Sequence, residues 1–249
     1  MKVSTASLCL LALLAPASGA LAETILYSND FESGSLGPEW SSNSYISNAS
    51  AFTKFNGRYS PGYTILTLAY PVLTGPTNGL FLPGPAPDPN PDPGPGPGPG
   101  PGPGDTLRFK LKFDLYAIDS WDGDSTAYNG AVSLGPDWFN VTINQTNVLH
   151  ATITNLAGNT QSFRAPDIGP MHLGYNASYM DSIYRAIEID FETPANAPIV
   201  IRWHDGGIEG LTYESWGIDN VSITYNAVPA PGSLALVGAG LFACRRRRR

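Results

Sequence analysis

Three carboxylates occupy alternate positions at Glu188, Asp190 and Glu192, inside a stretch rich in strand-forming residues. Successive side chains of a strand point to opposite faces of a sheet, so these carboxylates would project from one face. Paired carboxylates can hydrolyse a glycosidic bond with retention when their carboxyl groups lie about 5 Å apart. The outer two residues are about 13 Å apart at about 3.3 Å per residue, so this chemistry requires both side chains to lean inward.

The same stretch also fits an ordinary strand that is buried on one side. Apolar residues alternate with the carboxylates, which is the pattern of a strand with one face on a core. If residues 194–198 form a hairpin turn, Asp190 lies opposite Arg202 in a cross-strand ion pair. Glu188 then lies opposite His204. We favour this structural interpretation and keep catalysis as the alternative.

Two further groups of acidic residues are candidate ligands for a cation. The first group shares one glycine-containing loop and consists of Asp119, Asp122 and Asp124. The second lies at the predicted first and last strands and consists of Asp30, Glu32 and Asp219. Hard oxygen ligands of this kind suit Ca²⁺. The loop lacks the full EF-hand pattern, so a solvated acidic turn is the alternative for the first group.

Aromatic side chains could provide stacking platforms for sugar rings, because a ring face packs against the apolar side of a pyranose. The aromatic residues considered are Tyr116, Trp121, Tyr128, Trp138, Trp203 and Trp216. Trp121 lies in a polar loop and is the best candidate platform, with Tyr116 and Tyr128 beside it in the sequence. Trp203 falls on the apolar side of its strand and is expected in the core. The three histidines stand far apart, with no zinc-binding spacing.

Short strands separated by Gly, Pro and Asn must position these groups. The predicted strands cover residues 24–32, 45–46, 63–70, 106–118, 131–134, 139–143, 148–153, 184–191, 198–203 and 216–225. No window longer than about ten residues has a helical apolar period. Many short strands that are separated by turn-forming Gly, Pro and Asn residues predict an all-β sandwich or barrel.

Residues 83–104 are almost entirely Pro, Gly and Asp. Glycine recurs at every second position there rather than at every third, so a collagen triple helix is excluded. Such a composition cannot build a core. The preceding residues hold few strand signals and few apolar residues. We therefore predict a single domain over residues 23–225, in which this tract extends one loop.

The two ends of the chain have the composition of targeting segments. Lys2, an apolar run and the Ala20-Leu21-Ala22 site predict a signal peptide over residues 1–22 that is cleaved after Ala22. At the other end, Pro229-Ala230-Pro231-Gly232 precedes eleven residues dominated by apolar side chains, 234–244, and five arginines that begin at Arg245. As a helix the apolar run would cover only about 16 Å, whereas the hydrocarbon core of a bilayer is about 30 Å thick.

That order of segments over residues 226–249 resembles the PEP-CTERM sorting signal of exopolysaccharide-producing Gram-negative bacteria. The resemblance implies processing by an exosortase-like membrane enzyme, with only transient membrane contact through the tail. The implied route is an inner-membrane intermediate followed by the cell surface or the extracellular matrix. Ala230 stands where the family has Glu.

Two stretches, residues 113–124 and 214–221, resemble paired motifs of secreted bacterial jelly-roll domains. Residues 135–137 (Gly-Pro-Asp) and 181–184 (Asp-Ser-Ile-Tyr) add to that match. The resemblance implies a concanavalin A-like β-sandwich and an extracellular setting. Residues 188–192 are similar to the E-x-D-x-E signature of family 16 retaining jelly-roll glucanases. That similarity implies Glu188 as nucleophile, Glu192 as acid/base and Asp190 as an assisting carboxylate.

The net charge of the processed domain limits which classes of molecule it can bind. All 21 acidic residues lie at or after Glu23, whereas six of the 14 basic residues lie in the terminal segments. The processed domain would therefore carry a charge near −13, which argues against a nucleic-acid partner. We expect an exported, non-catalytic protein that binds extracellular polysaccharide or has a structural role there, with Ca²⁺ as a candidate cofactor. A family-16-like β-glucanase is the alternative.

Overall fold

The computed structural model describes residues 23–49, 51–69, 106–126, 135–195 and 197–226. The predicted signal peptide, the tract at 83–104, the strand predicted at 131–134, Tyr128 and the sorting tail from residue 227 onward lie outside these residues. All regular structure in the described part is β-strand. No helix that is long and apolar enough to cross a membrane occurs in these described residues.

Eleven strands are present in the described part of the chain. They are β1 (Glu23–Asn29), β2 (Ile46–Ala49), β3 (Phe52–Tyr59), β4 (Tyr63–Leu68), β5 (Thr106–Asp119), β6 (Trp138–Ile143), β7 (Thr146–Thr152), β8 (Ile168–Met171), β9 (Asp181–Pro194), β10 (Ile199–Gly206) and β11 (Glu214–Asn226). Their bounds match most of the predicted strands to within a few residues.

The strands form two antiparallel sheets, and the predicted all-β sandwich is confirmed. The seven-stranded sheet has the order β2-β3-β11-β5-β9-β8, with β1 paired to the second half of β11. The four-stranded sheet has the order β4-β10-β6-β7. Four strands of the described residues therefore face seven across one core.

Side-chain alternation places the core between the sheets. On β5 the inward residues are Phe109, Leu111, Phe113 and Leu115, each at most 2% exposed. From the other sheet, Trp203 is fully buried, as predicted, and packs 5.8 Å from the ring of Trp40. Burying aromatic rings of this size supplies much of the apolar free energy of a sandwich.

Strands on both sides of the Pro/Gly tract belong to the same sheets. Before the tract, β1 and β3 pair with β11, and β4 pairs with β10. Both partner strands follow the tract in the chain. The described residues before and after the tract thus share two sheets and one core.

Two strands, β3 and β8, were not predicted. β3 buries side chains on both faces, so its sequence lacks the alternation that marks a half-buried strand. On the outer side of the seven-stranded sheet, Phe52 and Phe55 of β3 pack with Tyr116 and Leu173 in a second, smaller core. β8 is short and contains Gly169 and Pro170, which normally indicate a loop.

The close approach of β3 to β11 requires glycine on both strands. Gly57 lies opposite Gly217 in the register. A Cβ on Gly217 would lie 2.2 Å from the ring of Phe55, and one on Gly57 would lie 2.8 Å from the Gly217 backbone. The ring of Phe55 therefore packs directly over the strand, which no larger residue at these positions would permit.

We expect one cooperative unfolding transition when residues 83–104 are replaced with a short Gly-rich turn. The first reason is that strands before the tract pair with strands after it in both sheets. The second is that halving the length of a loop changes the free energy of loop closure by only about 0.6 kcal/mol. Scanning calorimetry together with tryptophan fluorescence in denaturant measures this. Two separate transitions in the parent protein would contradict a shared fold.

Candidate functional site

The two stretches that resemble jelly-roll motifs are neighbours in the structure. β5 and β11 pair antiparallel, with Glu214 opposite Asp119 and Asp219 opposite Asp114. The loop that follows β5 and the start of β11 therefore meet at one end of the sandwich. The segment that leads into β6 reaches the same place, because the backbone N–H of Asp137 donates to the carbonyl of Gly123 at 2.9 Å.

Three carboxylates converge at this end: Asp122, Asp137 and Glu214, which we call the acidic cluster. One oxygen from each carboxylate lies within 4.8 Å of the others. Asp122 is 6% exposed, and the other two residues are fully buried. It is the one group of three or more possible metal ligands within the described residues.

Backbone donors hold one oxygen of two of these carboxylates. Asp137 Oδ2 accepts the backbone N–H of Asp122, and Glu214 Oε2 accepts the backbone N–H of Glu209 at 2.8 Å. The remaining oxygens, Asp137 Oδ1 and Glu214 Oε1, are buried without a hydrogen-bond partner among the described residues. Unpartnered buried polar atoms are rare, because each one costs the free energy of its lost hydration.

Two glycines allow the chain segments around the acidic cluster to approach each other. A Cβ on Gly207, which has φ +89°, would lie 2.0 Å from the carbonyl oxygen of Pro136. A Cβ on Gly135, with φ +112°, would lie 2.9 Å from the carbonyl oxygen of Ser125. Both φ values fall in the region that favours glycine. Local backbone geometry thus brings the carboxylates together.

Burial changes the proton affinity of all three groups. It raises the pKa of Asp122 to about 6, with the charge of Asp137 adding to the effect. Burial also raises the pKa of Asp137 and, most strongly, that of Glu214, where the neighbouring Asp137 raises it further. Desolvation disfavours a carboxylate ion, so a bare cluster holds protons more tightly than carboxylates in water do.

The three carboxylates of the cation site that was predicted in the loop after β5 do not meet in the structure. Asp119 forms an ion pair with Arg58, and Asp124 accepts a hydrogen bond from the hydroxyl of Thr152. Of the three loop residues, Asp122 alone enters the acidic cluster. Asp137 and Glu214 were not predicted as ligands, although both lie in the motif stretches. The sequence did contain a signal for both residues. Asp137 follows a Gly-Pro dipeptide just before β6, and Glu214 stands two residues before a Trp-Gly dipeptide at the start of β11.

The predicted site of Asp30, Glu32 and Asp219 does not form. Asp30 and Glu32 are exposed, whereas Asp219 is only 2% exposed. Asp219 Oδ2 accepts hydrogen bonds from Tyr116 at 2.7 Å and from Thr53 at 2.9 Å. These hydroxyls satisfy the buried carboxylate, so its role is structural.

The predicted sugar platforms are also buried. Trp121 is fully buried, and its Nε1–H donates to the carbonyl of Ser215 at 2.8 Å. Tyr116 is 5% exposed. The polar loop around Trp121 folds back against β11, so a hydrophilic sequence context did not imply an exposed ring. Neither residue can stack on a ligand in this structure.

The residues of the E-x-D-x-E stretch lie on the outer face of β9, as predicted, but their partners differ. β9 pairs with β5 rather than with β10, so the predicted pairs with Arg202 and His204 are wrong. Glu188 lies 3.3 Å from Lys110 and 3.7 Å from Lys112. The chain after β9 crosses to the other sheet instead of forming a hairpin.

Basic side chains of β5 therefore neutralise this acidic face. Glu192 lies 2.8 Å from Arg108. A surface cavity of about 360 Å³ borders Asp190 and Glu192 but does not reach Glu188. A retaining glycosidase needs both glutamates at one sugar, and this arrangement does not bring them to a common cavity.

A row of side chains on the outer face of the four-stranded sheet was not predicted. Tyr63, His204, Asn140 and His150 lie directly opposite one another on β4, β10, β6 and β7, and we call them the outer row. The alternation of apolar and polar residues along each strand could have predicted that each of these side chains points outward. Their alignment in one row depends on how the four strands pair, which alternation does not reveal.

Two larger side chains flank the outer row. Trp138 stacks on His150 at 4.2 Å with an interplanar angle of 9°, and the guanidinium of Arg202 lies 4.6 Å from the centre of the Tyr63 ring. The one carboxylate on these four strands, Asp205, is bound to Trp216 Nε1 at 2.6 Å and to the Gly62 backbone N–H. The described outer face therefore carries basic and neutral groups.

Comparison with known proteins gives no relative for this chain. No family model, no curated protein and no solved structure matches it.

We expect Glu188→Gln to change the melting temperature little, because exposed ion pairs contribute little to stability. Glu192→Gln, which loses the pair with Arg108, is the matched control. Neither variant should differ from the parent in the release of reducing ends from a β-glucan. Release by the parent that both variants abolish would instead identify residues 188–192 as an active site.

Proposed function

We propose that this chain is an exported, non-catalytic β-sandwich that binds an acidic polysaccharide of the extracellular matrix. The observation that carries the proposal is the outer row with its flanking residues Trp138 and Arg202. These side chains place ring faces, imidazoles and a guanidinium on one face of the four-stranded sheet.

Each of these groups has a place in sugar recognition. Aromatic rings contact the apolar faces of pyranoses, and the imidazoles of His150 and His204 can exchange hydrogen bonds with hydroxyls. Asn140 is 6% exposed and its Oδ1 is bonded to Nδ1 of His150, so it positions that imidazole instead of meeting the ligand. The guanidinium of Arg202 can bind a carboxylate through two parallel hydrogen bonds. Its side chain is exposed, and its ring partner Tyr63 is 40% exposed.

Charge favours an acidic glycan over a neutral one. The whole chain has a net charge of −7, yet the one side chain with a permanent charge that points outward from the described strands of the four-stranded sheet is the cationic Arg202. Burial lowers the pKa of His204, so that imidazole adds hydrogen-bonding capacity but no positive charge at neutral pH. A local basic surface on an acidic protein attracts anions to that surface in particular. Uronic acid residues supply both the carboxylate and the ring that this face would recognise.

A non-catalytic role is supported by the state of the carboxylates. Glu188 and Glu192 on β9 are paired with bases of β5, and the carboxylates of the acidic cluster are buried. The alternative of a family-16-like retaining β-glucanase would need Glu188 and Glu192 at one sugar. The jelly-roll, concanavalin A-like assignment is supported by the adjacency of the two motif stretches on β5 and β11.

The setting follows from the ends of the chain. Residues 1–22 would export the protein, with cleavage after Ala22. The tail from Pro229 would direct it through an exosortase-like enzyme at the inner membrane to the surface or matrix of a Gram-negative cell. An extracellular polysaccharide is the ligand class available in that compartment.

Retention on alginate, a polyuronate, tests the binding surface. In affinity electrophoresis, we expect Tyr63→Ala and Trp138→Ala each to weaken retention of the full chain by roughly 5- to 150-fold, by analogy with the stacking of a nucleobase on an aromatic ring, which contributes about 1–3 kcal/mol. Arg202→Gln should weaken binding to alginate more than to neutral dextran.

The control for this experiment is Tyr213→Ala, because Tyr213 is 49% exposed and lies outside the four-stranded sheet. This variant should migrate as the parent does. Equal retention of all variants, or no retention of the parent on alginate, would contradict a glycan site on this face.

Sorting is tested by deleting residues 234–249. The truncated protein should appear in the medium without processing at the tail, because the apolar run and the arginines are the features that hold it at the envelope. Cell fractionation and mass spectrometry of the product measure this. An unchanged location, and a mass that differs only by the deleted residues, would contradict a sorting role.

A further inference from the structure

We infer that Asp122, Asp137 and Glu214 bind one Ca²⁺ ion at the end of the sandwich. One oxygen of each carboxylate lies within 4.8 Å of the others, and the side chains are at most 6% exposed. Ca²⁺ binds oxygen at about 2.3–2.6 Å, so ligands on opposite sides of one ion are about 5 Å apart. The three oxygens therefore lie within reach of a single ion.

No basic side chain of the described residues is paired with the acidic cluster. Burying carboxylates is costly unless they are paired, protonated or bound to a metal. None of the five ion pairs in the described part of the chain includes a member of the cluster. Arg58, which approaches this end of the sandwich, is paired with Asp119.

The hydrogen bonds leave the oxygens that an ion would need. The backbone N–H of Asp122 binds Oδ2 of Asp137, and that of Glu209 binds Oε2 of Glu214. Each bond orients its carboxylate and leaves the second oxygen, Oδ1 or Oε1, buried with no donor from any other described residue. Asp137 and Glu214 lie close enough to share a hydrogen bond when one of them is protonated, and a cation would take the place of that proton. One cation would satisfy both atoms at once.

The donor set selects the class of ion. The cluster consists of carboxylates alone, with neither His nor Cys, so a hard cation is favoured over Zn²⁺ or Cu²⁺. Mg²⁺ usually keeps several waters and binds through one or two carboxylates. Three buried carboxylates from three separate chain segments suit the larger and geometrically less demanding Ca²⁺.

Such an ion would join the two sheets. Asp122 follows β5 and Glu214 begins β11, both in the seven-stranded sheet, whereas Asp137 directly precedes β6 in the four-stranded sheet. The described residues contain no cysteine. A bound Ca²⁺ would therefore cross-link this end of the sandwich in the way that disulfides do in other exported domains.

Thermal unfolding of the chelator-treated full chain tests the site. We expect 1 mM Ca²⁺ to raise the melting temperature by on the order of 5–10 °C, because a ligand that binds only the native state stabilises it. Titration calorimetry should give one ion per chain. The variants Asp137→Asn and Glu214→Gln should lose this response while melting, without Ca²⁺, at or above the parent's temperature, since an amide relieves repulsion.

The matched control is Asp124→Asn, which lies in the same loop but bonds Thr152 instead of the cluster. It should keep the full Ca²⁺ response.

Four results would each overturn the inference: no response of the parent to Ca²⁺, an equal response to Mg²⁺, loss of the response in Asp124→Asn alone, or stability that follows pH but not Ca²⁺. The last result would mean that Asp137 and Glu214 share a proton. If the cluster variants do not fold, the titrations of the parent and of Asp124→Asn still decide the question.

Discussion

Antiparallel pairing of β5 with β11 is the contact on which the remaining architecture depends. The two strands pair over residues 109–119 and 214–225, and the other edge of β11 pairs with β3 and β1. Strands from both sides of the Pro/Gly tract are thereby joined in one sheet. The same register holds the start of β11 beside the end of β5, so a backbone contact between distant segments also determines where the acidic cluster forms.

Burial gives similar side chains opposite roles at the two carboxylate groups. Glu188 is exposed and close to two lysines, so water and counter-charge reduce its influence on its surroundings. Glu214 is fully buried without a basic partner in the described residues, so its charge must be met by a proton or a cation. Short acidic patterns therefore carry little chemical meaning until the exposure of each carboxylate is known.

One face and one end of the sandwich serve different purposes in the proposed function. The outer face of the four-stranded sheet presents rings and Arg202 to a ligand, and a row that crosses four strands suits an extended polymer. The end that holds the acidic cluster is closed by tightly packed segments around Gly135 and Gly207, which suits an ion. A cation there would stiffen the end of the sandwich that joins the two sheets, next to Trp138 of the glycan face, since Asp137 directly precedes that residue.

The amino-acid pattern by itself determined the all-β class, most strand positions and the burial of Trp203, because alternation along a strand is a local property. It did not reveal β3, which is buried on both faces, or the pairing of β9 with β5. Nor did it reveal that Trp121 is buried or that Asp137 and Glu214 join Asp122. Those features were decided by the tertiary structure, since strand partners and loop approaches depend on contacts between residues far apart in the chain.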